Sequence, residues 1–102
     1  VSQKNRNLRR AWIIQVYAAT VELFHEARKR PEEAETPLVD LARKCANTKF
    51  AENEDMIVGD KEICAREFMA HCRQHIGEEV KKAIADRAQQ TMQENQQEAL
   101  AS

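Results

Sequence analysis

The sequence predicts an all-α fold: a bundle of three to four helices with a long C-terminal helix and a polar tail. Three observations carry that expectation. The 102 residues include only two Gly and two Pro, whereas β folds place such residues in turns about every 8–12 positions. Apolar residues recur at three- and four-residue spacing along three stretches. The chain is 42% hydrophobic and 32% charged, enough apolar material to close a core. One domain is expected over residues 1–92, with a frayed polar tail over 93–102.

The first helix is expected from Leu8 to Lys29. Leu8, Trp12, Val16, Ala19, Leu23 and Ala27 form one apolar line. Beside it runs a second, Ile13, Tyr17, Val21 and Phe24, with Ile14 wider still. A helix apolar over most of its girth is buried on several sides. It is the centre of a bundle or part of a subunit interface. Pro31 and the acidic "PEEAETP" end it.

The second helix is expected to be short, with Thr36 as cap and Pro37 in its first turn. Leu38, Leu41, Ala42 and Cys45 mark its buried face. "NTKFAENED" is too polar to extend the pattern, and "MIV" at 56–58 reads as a turn or a short plug. Asp60 then caps a third helix bearing Ala65, Phe68, Met69, Cys72, Ile76, Val80, Ala83, Ile84, Ala88 and Met92. Its spacing drifts from a heptad, which favours a globular helix over a coiled coil. Gly77 marks a kink, a close contact or a break, and a break would make the helix count four.

Composition excludes several functions. No apolar run reaches the roughly 18 residues of a membrane span, and no signal-peptide pattern is present. Val1 in place of an initiator Met is expected of a fragment or a processed chain. No Gly-x-Ser-x-Gly turn occurs, and the only Ser residues are Ser2 and Ser102. Two glycines cannot build a phosphate-cradling loop. Neither an enzyme nor a small-molecule substrate is expected.

The three cysteines contain no Cys-x-x-Cys pair. Cys64 and Cys72 stand two turns apart on one helix, about 12 Å of rise and beyond a disulfide's reach. Reduced, buried thiols in a cytoplasmic or nuclear protein are the expectation. In "EFMAHCRQHIGEEV", His71 and His75 share a helix face and could hold Zn²⁺ with Glu67 or Glu79. The catalytic Glu of His-Glu-x-x-His is replaced by Cys72. Two surface imidazoles beside glutamate partners is the expected arrangement, with no metal and no cofactor.

Charge is split along the chain. Residues 1–31 sum to +5 and the remainder to −6. Such a split marks two helices that attract one another, or a basic nucleic-acid contact. Lys4, Arg6, Arg9 and Arg10 in "KNRNLRRAW" are the candidates for phosphate contact. Trp12 lies on the apolar line and is assigned to the core rather than to base stacking.

A long first helix, a loop, "LVDLARKCANTKFAE" and a final helix follow one another in this order. That layout resembles KIX coactivator domains, over about 15 residues of the chain. The resemblance implies a three-helix bundle that docks partner helices, and carries no binding residue over. Sequence therefore points to a non-catalytic protein-interaction module, a homodimer or a receptor for a partner helix, using Ile13, Tyr17, Val21 and Phe24. Nucleic-acid binding through the basic N-terminus is the alternative. On this reading Ile13→Glu gives a folded monomer, whereas Val16→Glu unfolds the chain.

Overall fold

The computed structural model describes the backbone of residues 3–57 and 59–101, and the side chains of 6–57, 59–90 and 92. The fold is all-α: α1 (Gln3–Ala27), α2 (Leu38–Glu52) and α3 (Lys61–Ala101), with 3₁₀ turns at Pro31–Glu33 and Glu54–Met56. No described helix is long and apolar enough to cross a membrane.

The direction of each helix follows from its contacts. Arg9 meets Glu67 and Arg28 meets Asp86, both 58 residues apart, so α1 and α3 run parallel. Trp12 near the start of α1 meets Phe50 near the end of α2. Phe24 and Ala27 share a cluster with Leu38 and Leu41. The middle helix is therefore antiparallel to both neighbours.

Parallel neighbours place like ends of their helix dipoles side by side, which is unfavourable. An Arg-to-carboxylate pair at each end of the α1–α3 seam offsets this. Here the charge split of the sequence serves the attraction between two of the chain's own helices.

The core forms in two clusters. Phe24, Ala27, Leu38, Leu41, Ala42, Cys45, Val80 and Ala83 fill the lower one, toward the α1–α2 loop. Trp12, Ile13, Val16, Ala46, Cys64, Phe68 and Cys72 fill the upper one. Thr20 is fully buried, and its hydroxyl donates to the Val16 carbonyl at 2.9 Å. That bond satisfies the one polar side chain buried among the described residues, a position the apolar pattern does not mark.

Several local expectations change. Thr36 does not cap α2; its hydroxyl donates to Glu33 Oε2 at 2.7 Å, and Pro37 occupies the cap position without a side-chain bond. The polar "NTKFAE" stretch is helical to Glu52, because Phe50 packs edge-on against Trp12, 5.7 Å between ring centroids. Met56 is exposed and Ile57 packs on the upper cluster, while Val58 lies outside the described residues. Gly59 has φ +86°, the left-handed region that glycine adopts without penalty. Asp60 caps α3 as expected, its carboxylate accepting the Glu62 and Ile63 amides at 2.9 and 3.1 Å.

α3 runs unbroken through Gly77, so the α-helices among the described residues number three. A Cβ built at Gly77 meets nothing within 4 Å, and the residue is solvent-exposed. The close contact or break expected there is absent. Gly77→Ala is accordingly expected to stabilise the fold by about 0.4–1 kcal/mol, by restricting the unfolded chain. A thermal melt rising by a few degrees checks this. The segment from 93 onward, expected to fray, is helix to Ala101. It contains no Gly or Pro and is rich in Gln, Glu and Ala, which helices accommodate well; residue 102 lies outside the described residues.

Candidate functional site

The histidines are the first place where chemistry could reside. His71 and His75 project from successive turns of α3, with ring centroids 4.3 Å apart. His71 is half-buried and His75 is exposed, as the sequence suggested for a surface imidazole. Tyr17 of α1 meets His71 edge-on at 4.8 Å and His75 at 6.1 Å. Two turns along α1 from Tyr17, His25 Nε2 stands 2.9 Å from Glu79 Oε2. All three histidines thus lie on the seam between the parallel helices.

Electrostatics on the seam follow from partial burial. His71 is held below its ordinary value, first by desolvation and then by the neighbouring His75. Tyr17 is raised by burial, with smaller contributions from Glu79 and Cys72. Glu67, the candidate third metal ligand, is engaged by Arg9 at 2.8 and 3.3 Å. Among the described residues no group of three His, Cys, Asp or Glu is placed to hold a metal ion.

Cys72 lies in the upper cluster, 5% exposed. Burial pushes its thiol up to about 11 and raises Cys45 and Cys64 as well. A thiol that holds its proton so firmly is a poor nucleophile at neutral pH.

The second apolar line of α1 is not an exposed surface in this fold. Ile13 and Phe24 are 6% and 0% exposed. They belong to the upper and lower clusters respectively. Tyr17 packs against the upper cluster and Val21 is half-buried. The reason is the helix count around α1: α2 and α3 both pack on it, so two adjacent lines are covered at once. Leu8, from the first line, is instead 45% exposed, as is Ile14 at 56%.

The basic arm is divided. Arg9 is committed to Glu67, which raises its guanidinium further through that hydrogen bond. Arg6 and Arg10 are exposed, and the side chain of Lys4 lies outside the described residues. Trp12 is core, and its indole N–H donates to the Asn53 carbonyl at 3.2 Å.

What sequence reasoning missed lies at the other end of the molecule. Arg87 of α3 donates to the Thr36 carbonyl at 2.9 Å and the Glu33 carbonyl at 3.3 Å, clamping the α1–α2 loop to α3. Beyond this clamp α3 continues alone from Ala88 to Ala101, about 20 Å at helical rise. Its apolar stripe does not stop with the bundle. Val80 and Ala83 are buried, whereas Ile84 and Met92 are exposed. Leu38, Ile84, Arg87 and Ala88 line a shallow cleft of about 320 Å³ in the step below the overhang. The signal was legible as the line 76, 80, 84, 88, 92; only the ends of the other helices show which part stays uncovered.

Comparisons with protein-family models, with curated proteins and with solved structures find no match for the chain. The likeness to KIX domains therefore rests on the quoted residues alone.

Proposed function

We propose that this chain is a non-catalytic helical interaction module that self-associates through the overhanging part of α3. The carrying observation is the unfinished stripe: Ile84 and Met92 continue the buried line of α3 into solvent, beside the Leu38 cleft. The composition of the overhang favours a second copy as the occupant. Residues 88–101 carry no Lys or Arg, two glutamates (Glu94 and Glu98) and five glutamines. An amide side chain both donates and accepts hydrogen bonds, so a Gln-flanked stripe is complementary to itself. An isologous contact also uses the same patch twice.

Magnitudes set the strength of such a dimer. Burying each Ile84 and Met92 side chain is worth about 1.5–3 kcal/mol. Association costs roughly 4–15 kcal/mol, so the dimer is expected to be weak. Light scattering from tens to hundreds of micromolar is expected to give a mass that rises above 11.8 kDa with concentration. Met92→Glu is expected to hold the monomer mass with unchanged helicity. A native chain that stays monomeric throughout overturns the proposal.

The alternative, phosphate contact by the basic arm, is supported by the exposed Arg6 and Arg10. It has less behind it, because Arg9 is engaged by Glu67 and Trp12 by the core.

A further inference from the structure

We propose that His71, closed with His75 against Tyr17, forms an acid-sensitive latch on the α1–α3 seam, which loosens when the His71 imidazole takes up a proton. The inference is independent of self-association and rests on what each histidine would meet on protonation. A proton on His25 meets the Glu79 carboxylate 2.9 Å away. A proton on His71 meets a second imidazole, with centroids 4.3 Å apart, and the ring of Tyr17.

The remaining charges of the seam are occupied. From α1 it is faced by Arg9, Tyr17, His25 and Arg28; from α3 by Glu67, His75, Glu79 and Asp86. Glu67 is held by Arg9, Glu79 by His25 and Asp86 by Arg28. Among the described residues α2 contributes no ring contact or ion pair to either imidazole. The π face of Tyr17 can offset a nearby cation, but both imidazoles share that one ring. Among the described residues no carboxylate stands within ion-pair distance of His71 to meet its proton; Glu78, further along α3, faces Lys81.

The sign follows from linkage. His71 is depressed in the folded chain, mainly by burial and then by His75. The unfolded chain consequently binds more protons than the folded one as acid is added. The latch contributes fully above the ordinary histidine value near 6.5. Its contribution is lost as pH falls through the lowered folded value. Glu33 is also held low, chiefly by the Thr36 hydroxyl, but it titrates in the carboxylate range and leaves a window above pH ~5 to the imidazoles.

Urea unfolding of the full chain between pH 7.5 and 5 tests the latch. Over that range the folded-to-unfolded ratio of the native chain is expected to fall about three- to tenfold more than that of a His71→Gln/His75→Gln double variant. Parallel loss in the native chain and the double variant overturns the latch, as does a native ratio that does not fall. Should the double variant fail to fold, proton NMR of the native chain decides. His71, assigned by its loss in a His71→Gln spectrum, is expected to titrate below a free histidine, and a midpoint at or above the free value overturns the latch.

Discussion

Ile13→Glu is expected to unfold the chain rather than release a folded monomer. The side chain is 6% exposed and sits with Trp12, Val16, Phe68 and Cys72 in the upper cluster. The substitution removes apolar burial worth about 1.5–3 kcal/mol. It also places a carboxylate where no cation is within the cluster, at a cost of several kcal/mol more. A domain of this size is stable by about 5–15 kcal/mol in total. The variant is therefore expected to lose most of its helical circular dichroism at 25 °C, alongside Val16→Glu, which is 2% exposed in the same cluster. A folded, monomeric Ile13→Glu would mean that the upper cluster does not form as described.

Phe68→Ala is expected to cost about 3–5 kcal/mol, the range for emptying a buried phenylalanine site. Phe68 is fully buried on α3. Its ring lies 6.0 Å from Trp12 of α1 and 5.8 Å from Phe50 of α2. The three rings fasten all three helices at one level, so the cavity cannot be closed by moving one helix alone. Chemical denaturation measures the loss. Trp12 supplies a second reading: as the only tryptophan, its emission is expected to shift toward that of a hydrated indole. A cost below 1 kcal/mol would show that the aromatic cluster is not a principal support of the fold.

Both predictions turn on how much of the molecule could be read in advance. The helical class, the buried face of α2 and the Asp60 cap were legible, because each is a local pattern of spacing or capping. The core role of Trp12 and Cys72 was legible too, since both fall on a long stripe. Phe50 was harder, for it stands in a polar stretch and its packing depends on Trp12, 38 positions earlier in the chain. The fate of Ile13 and Phe24 was legible only as a choice between bundle core and subunit interface. Their pattern states that they are apolar on one helix face, and only the number of helices packed against that face decides whether water or protein covers it. The same holds in reverse for Ile84 and Met92, which look like core until α1 and α2 are seen to end. The histidine seam hinged on a partner, Tyr17, that lies on another helix.

The single-helix overhang has a consequence for how this molecule moves through solution. A compact chain of 102 residues has a radius of gyration near ~13 Å, and one twice as long near ~17 Å. This chain has a radius of gyration of 17.5 Å and extents of 67 × 21 × 15 Å. A single copy therefore has the radius of gyration of a globular protein of about double its mass, and diffuses and elutes as a larger protein than it is. Apparent size alone would report a dimer where there is none, and rotational diffusion about the long axis should differ sharply from tumbling end over end. Only a shape-independent mass separates one rod from two.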